Sequence, residues 1–480
     1  MTPSDDIFFA SITELNQKLT KKEFSAVELA RAFCDRLESI GPRYNALALS
    51  LRKVALSDAK EVDGDIKRER LRGPLQGIPF GAKDLLSFGK HPTTWGAKPY
   101  EGQVFKETAS VLKHLQKRGG LLTGKLAMVE LAGGPSYRYA SASLTGPGLN
   151  PWDPTRWSGG SSSGSAIAVA AGLVTYALGS ETSGSILTPS AFCGVTGLRP
   201  TYGLVSRNGA MALSWTLDKI GPICRSAEDC GLVLEAIAGG DADDPASARK
   251  SFHYTPQFAR DLKDVRVGFA PSDFSERVDP AARADYAKAL ETIRSLGVEV
   301  AEKEVKLPEF PYAAVISTII SSEGSAIFEP LIKSGGVDQL ADQHQIAGLK
   351  AGLEIPAKDY LKAMRIRSLI QEAFRDTLSA VDVLIAPTRF DPAPKITQPL
   401  DRRSSDRPAP STSGLSALIP AGNLAGLPAL SLPCGFANGM PMGLQLVGTP
   451  FSENLLLAIG RAFQERTDWH KRRPPIGGSS

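Results

Sequence analysis

Histidine is scarce in this chain, with five residues in 480, and none of His91, His114, His253, His344 and His470 sits in an HExxH pattern. That excludes the usual zinc-protease helix. Cysteine is equally sparse: Cys34, Cys193, Cys224, Cys230 and Cys434 form an odd, scattered set without a CxxC pair. Such a set argues against a disulfide framework and a zinc site, and it fits a reducing cytoplasm. Charge of one sign is missing as well. The 55 basic and 51 acidic residues leave a formal charge of +4 and are interspersed along the chain, so nothing in the charge leads one to expect a nucleic-acid partner. The basic runs 67–70 and 471–473 read as solvated surface. The longest apolar region, 166–178, is too short and too rich in Ala and Gly to span a bilayer, and the first ten residues show no secretory signal.

What is present is ordinary globular composition, 42% hydrophobic and 22% charged, enough for a sizeable core. Residues 1–60 read as helices with N-caps at Ser11 and Ser25. From Gly73 to Gly124 strand-like and helix-like pieces alternate, the strand Ile78–Gly81 and the helix Ser110–Arg118 among them, which points to an α/β class. The Gly/Ser/Ala-rich centre from Ser158 to Arg199 would pass for a linker, except that Ile167, Val169, Leu173, Val174 and Leu178 interrupt it with the pattern of a buried helix and strand. Residues 241–256 read as loop, Val265–Phe269 as a strand and Ala281–Leu296 as a helix, together a peripheral layer. The polar run Asp401–Ser413 is expected to be a lid or mobile surface. Gly443–Gly448 reads as a buried strand, Leu455–Gln464 as a closing helix, and Gly477–Ser480 as an expression scar or frayed end.

Two motifs are decoys. Gly119–Lys125, GGLLTGK, matches the start of a phosphate-binding loop, but Leu126 stands where the magnesium-binding hydroxyl belongs. Gly160-x-Ser162-x-Gly164 can be aligned to a nucleophile elbow, with His253 or His344 following it, but the scarcity of histidine gives a Ser-His-Asp triad little support.

Three other segments carry more. They are Gly77-Ile-Pro-Phe-Gly-Ala-Lys83-Asp84, Ser158-Gly-Gly-Ser161-Ser-Ser-Gly-Ser165 and Gly179-Ser-Glu-Thr-Ser-Gly-Ser185-Ile. With Thr196–Gly203, Leu217–Pro222, Asn423–Pro428 and Gly443–Gly448 they resemble the amidase signature family over nearly the whole chain. The resemblance implies a single α/β domain, 1–476, with a mixed central sheet wrapped by helices: a helical entry (1–60), a signature core (73–235), a peripheral layer (241–400) and a C-terminal part of the core (414–470). It also implies a catalytic trio: Lys83 as base, Ser161 as a bridging serine after a cis peptide, and Ser185 as nucleophile. The two serines are 24 positions apart, the separation that family shows. No metal or organic cofactor is implied.

Physical chemistry supports those roles. A serine hydroxyl needs a neighbour to take its proton, and a lysine can do so only when neutral. Burial among Phe80, Ala82, Leu85 and Leu86 would lower the Lys83 pKa, whereas Asp84 would oppose the shift if it pointed the same way. The backbone N–H groups of Thr182, Ser183, Gly184 and Ser185 are expected to form the oxyanion hole, where loss of one donor typically costs roughly 100- to 1,000-fold in rate.

Three departures from the family pattern stand out: Glu181 for Asp, Ser183 for Gly, and Leu187 for Arg. Loss of that Arg points to a neutral substrate, unless Arg138, Arg207 or Arg389 substitutes. Gly133 and Gly134 suggest room for a bulky group. The expectation is therefore an aryl or acyl amide, or a carbamate, hydrolysed through an acyl-enzyme. The expected partners are a small-molecule amide or carbamate, no nucleic acid, no membrane, and a second copy in a homodimer. The alternatives are the glutaminase subunit of a tRNA-dependent amidotransferase and a non-catalytic scaffold that kept the fold.

Overall fold

Serines start the first helices. Ser11 and Ser25 accept the backbone N–H groups of Glu14 and Glu28 at 3.2 and 3.1 Å, and each glutamate reaches back to its serine. These reciprocal bonds are capping boxes on the helices Ile12–Thr20 and Ala26–Ile40. The structure is a computed structural model that describes residues 5–134, 137–258, 260–301, 303–400 and 414–476. The segment expected to be a lid, 401–413, and the tail 477–480 lie outside the described residues.

Among the described residues the strands are β1 (Leu47–Ser50), β2 (Pro79–Lys83), β3 (Leu121–Leu126), β4 (Leu149–Asn150), β5 (Asp153–Trp157), β6 (Tyr176–Glu181), β7 (Thr196–Arg199), β8 (Lys219–Cys224), β9 (Arg266–Phe269), β10 (Glu299–Val300), β11 (Val383–Pro387), β12 (Ala429–Ala437) and β13 (Met440–Gly448). Eleven of them form one mixed sheet in the order β1-β3-β2-β6-β8-β7-β12-β13-β11-β9-β10, while β4 and β5 pair separately. β2 runs parallel to both β3 and β6; β6–β8, β7–β8, β7–β12 and β12–β13 are antiparallel. β2, β3, β6, β7, β8, β11 and β13 are buried at every position, as expected for a sheet covered on both faces by helices. The strands of residues 241–400, β9, β10 and β11, extend one edge of this same sheet.

Local chemistry explains the joints. β12 and β13 are a hairpin closed by Asn438 and Gly439, both at positive φ (51° and 78°), the two-residue turn whose twist matches that of paired strands. The Gly/Ser-rich centre folds as the helix Ser163–Ala170, β6, the helix Leu187–Cys193 and β7. Small side chains let the first helix lie flush on the sheet: a Cβ on Gly164 would come within 2.5 Å of backbone atoms of Ala46 and Ala127. The Ser165 hydroxyl donates to Leu178 O at 2.9 Å, and Ser162 Oγ both donates to Ser180 O and accepts from Ser180 N at 3.2 Å, stitching the helix to β6. Residues 121–125 of GGLLTGK lie in β3, and the N–H groups of Gly119 and Gly120 bond to Gln116 O and Leu115 O, so the motif serves the sheet and a helix end rather than a phosphate.

Candidate active site

Lys83 ends strand β2 and is fully buried. Its Nζ donates to Ser161 Oγ at 2.7 Å and to Ser180 Oγ at 2.9 Å. Burial lowers its pKa to about 7, with more distant Asp218 and Glu181 pulling the other way. Asp84 does not oppose the shift by contact. Its carboxylate turns to the neighbouring strand, where Lys125 Nζ pairs with Oδ1 at 2.7 Å and donates to Thr93 Oγ1 at 3.0 Å, while Thr94 N–H donates to Oδ2 at 2.9 Å.

Ser161 is buried and follows a cis peptide bond from Gly160. Ser162 N–H donates to Ser185 O at 3.3 Å, so the two serine segments touch. Ser185 lies half-buried on the turn after β6. No hydrogen bond joins its hydroxyl to Ser161 among the described residues. Lys83, Ser161 and the Ser185 turn are thus brought together from three segments far apart in the chain.

The turn is shaped by Glu181. One carboxylate oxygen accepts Ile186 and Leu187 N–H at 2.9 and 3.0 Å; the other accepts Arg199 Nη1 at 2.9 Å and Asn423 Nδ2 at 2.8 Å. Arg199 holds the buried carboxylate ionised, below the usual range, against the cost of desolvation. Gly184 adopts φ +91°, which favours glycine, and Thr182 Oγ1 donates to Asp218 Oδ1 at 2.6 Å. Among the described residues the backbone N–H groups of Thr182, Ser183, Gly184 and Ser185 donate to no other group. They can therefore serve an anion that forms at the turn. Asp218 also accepts Leu213 and Ser214 N–H at 2.8 and 2.9 Å; its carboxyl pKa is raised by burial and eased back by these donors.

Beside the turn opens a cleft of about 220 Å³, whose lining includes Ser180, Thr182, Asp218, Met211, Leu213 and Trp215. Ala132 lines it, whereas Gly133 and Gly134 do not. A Cβ on Gly133 would meet the Tyr137 ring at 2.6 Å and one on Gly134 the Gln345 amide at 2.8 Å, so these glycines permit close packing. Leu187 is buried in an apolar cluster with Leu217, Leu418 and Ile419 and lies off the cleft. Arg207 does line it, but its guanidinium is engaged with Asp244 at 3.0 and 2.8 Å. Among the described residues no group of three His, Cys, Asp or Glu side chains is placed to hold a metal ion, and no helix is long and apolar enough to cross a membrane.

Sequence reasoning missed Ser180, Asp218 and the anchoring by Glu181. Ser180 and Glu181 lie inside the matched motif, but which acceptors face Lys83 follows from the β2–β6 register, which a single sequence does not display.

A family model described as Amidase matches residues 28–457. A glutamyl-tRNA(Gln) amidotransferase subunit of Carboxydothermus hydrogenoformans is 35% identical over 497 residues, covering 98% of this chain and 100% of that protein. Among solved structures, the peptide amidase of Stenotrophomonas maltophilia is 31% identical with a TM-score of 0.83, covering 97% of this chain and 98% of that one. A chain from a vestigial protein complex that bears on the origins of an s-triazine catabolic enzyme is 28% identical with a TM-score of 0.85, covering 95% and 98%. These relatives correct the expectation about partners. A small molecule as the only ligand, no nucleic acid and a homodimer do not fit relatives that are, by name, subunits of an enzyme for which an aminoacyl-tRNA is the substrate. The expectation of no nucleic acid rests on the even charge of one chain, and the charge of one subunit says nothing of a polyanion held by other subunits.

Proposed function

This chain belongs to the amidase signature family, whose members cleave amide C–N bonds, and we propose that it is the amide-hydrolysing subunit of an amidotransferase-type assembly, releasing ammonia from the carboxamide of glutamine. The observation that carries the chemistry is a fully buried lysine, with pKa about 7, 2.7 Å from Ser161 Oγ and beside the Ser185 turn. The named relatives carry the choice of substrate.

In this reading Ser185 Oγ attacks the amide carbon, and its proton passes to Ser161, whose own proton passes to neutral Lys83. The N–H groups of Thr182 to Ser185 receive the developing oxyanion. Collapse expels the amine, which takes a proton back through Ser161 and leaves an acyl-Ser185 ester. Water, deprotonated by the same relay, attacks the ester and returns Ser185 with release of the acid. Ser180 holds the Lys83 amine aimed at Ser161 from its other side.

A second reading keeps this chemistry with a neutral aryl or acyl amide or a carbamate as substrate. The apolar residues Met211, Ala212 and Leu213 in the cleft lining favour it. Ammonia release from glutamine, measured for the chain purified alone and with any subunits that co-purify from its own cell, separates the two. Turnover that needs Ser185 and rises with the co-purified subunits supports the first reading. Turnover of acetanilide or a carbamate by the chain alone, with glutamine inert, sinks it.

A further inference from the structure

Of the arginines that stand near the candidate site, two are already engaged. Arg207 is locked by Asp244, and Arg138 Nη1 meets His344 Nε2 at 3.2 Å. Arg389, two residues beyond the end of β11, differs: its guanidinium enters no hydrogen bond or ion pair among the described residues. Solvent reaches it, yet enough protein surrounds it that burial lowers its pKa, with Tyr137 and Asp391 opposing the shift without bonding to it. A guanidinium keeps its charge inside proteins, so a cation without a bonded counter-ion is held here.

A row of rings ties this cation to the catalytic backbone. Arg389 Cζ stands 5.9 Å from the centre of the Phe192 ring, Phe192 packs edge-on against Trp157 at 6.4 Å, and Trp157 packs in the same way against Tyr137 at 6.1 Å. The row borders the two residues that lead into Ser161. A Cβ on Gly159 would come within 3.2 Å of Phe192 Cδ2, and one on Gly160 within 3.0 Å of Trp157 Cζ2 and 3.6 Å of Tyr137 Oη. Glycine at both positions therefore lets the rings close on the peptide that presents Ser161.

This wall is rich in donors and poor in acceptors. Tyr137 Oη makes no hydrogen bond among the described residues, and Trp157 Nε1, on the indole edge that faces Gly160, has no acceptor among them either. Asp342, the carboxylate that acts on Tyr137, is taken by the N–H groups of Arg138 and Tyr139 at 2.6 and 2.9 Å. The planar fork of an arginine matches a carboxylate through two parallel N–H bonds.

We propose that Arg389 and Tyr137 hold a carboxylate carried by the amide substrate, so that the enzyme selects amides with an anionic acyl part over neutral ones. The proposal rests on the glutamine reading for which part of the substrate bears the charge: the leaving group there is ammonia, so the carboxylate belongs to the acyl part. Arg389 is a specificity residue in this account, and binding of the carboxylate is separable from turnover.

The test is equilibrium binding, by calorimetry, to Ser185→Ala protein purified with any subunits that accompany it. The probes share one carbon skeleton: 4-carbamoylbutanoate carries a carboxylate, and glutaramide is neutral. The carboxylate is expected to bind at least tenfold more tightly. Arg389→Met is expected to erase that preference, Arg389→Lys to keep part of it, and Tyr137→Phe to weaken it about threefold, with glutaramide affinity unchanged within about twofold. Constant glutaramide affinity separates loss of one ionic contact from general damage, and thermal melting checks the fold. Equal binding of the two probes, tighter binding of glutaramide, or a preference that survives Arg389→Met overturns the proposal. Hydrolysis of neutral amides by the parent, with no effect of Arg389→Met on either probe, keeps the hydrolase reading and removes this site. Failure of the parent to hydrolyse any amide, with the Arg389-dependent preference intact, refutes the hydrolase reading and leaves the carboxylate site standing.

Discussion

Two lysines lie fully buried on neighbouring parallel strands, Lys83 at the end of β2 and Lys125 in β3. Their surroundings differ in one respect. Lys125 touches a carboxylate, Asp84, at 2.7 Å; Lys83 touches only hydroxyls, Ser161 and Ser180, with Asp218 and Glu181 acting from farther off. Burial pulls both ammonium groups down, and at Lys125 the adjacent Asp84 pulls back. Burial alone therefore does not make a base. A lysine that has hydroxyls in place of a carboxylate can lose its proton near neutral pH and take another from serine, while its neighbour holds strands β2 and β3 to the loop 93–94.

This contrast can be broken most severely at Lys83 and Ser185. Ser185→Ala or Lys83→Met is expected to lower kcat by roughly 10⁴-fold or more, as nucleophile and base losses do in other serine hydrolases, with the melting temperature of Lys83→Met nearly unchanged, measured by steady-state kinetics and calorimetry. Lys125→Met is expected to do the reverse. It strands the buried Asp84 carboxylate, at a cost of about 3–5 kcal/mol of stability, read from urea unfolding, while protein that remains folded keeps Lys83 and its turnover.

The next test uses pH. Lys83 is active as the neutral amine and its pKa is about 7, so kcat/KM rises with pH through about 7, levels off above it, and falls tenfold per unit well below it. Ser180→Ala sharpens this. It removes an acceptor that favours the ammonium form, so the acidic limb moves to lower pH, and the lost alignment lowers kcat about tenfold, the scale of one hydrogen bond. A limb that stays in place or moves upward would show that Ser180 does not set the charge of Lys83.

Much of this arrangement is legible in the chain itself, and the reasons are local. Ser11 and Ser25 announce helix starts because each has Glu three positions on, and β13 and the closing helix follow from hydrophobic periodicity. Lys83, Ser161 and Ser185 stand in dense motifs. What is not legible depends on register and on side-chain direction. Asp84 follows Lys83 immediately, yet its carboxylate serves Lys125, 41 positions on, because successive strand residues point to opposite faces. Gly133 and Gly134 read as open space in sequence, whereas Tyr137 and Gln345 fill it. Leu187 reads as a vacated anchor facing substrate, but it packs with Leu217 and Ile419.

The most direct test of the account is the pH dependence of Ser185 labelling by a fluorophosphonate, followed by intact mass and peptide mapping in the parent and in Lys83→Met. The account predicts a single adduct on Ser185, formed at a rate that rises with a midpoint near pH 7 and falls by orders of magnitude in Lys83→Met. Labelling at another residue, or labelling of Ser185 at a rate indifferent to Lys83, would contradict it.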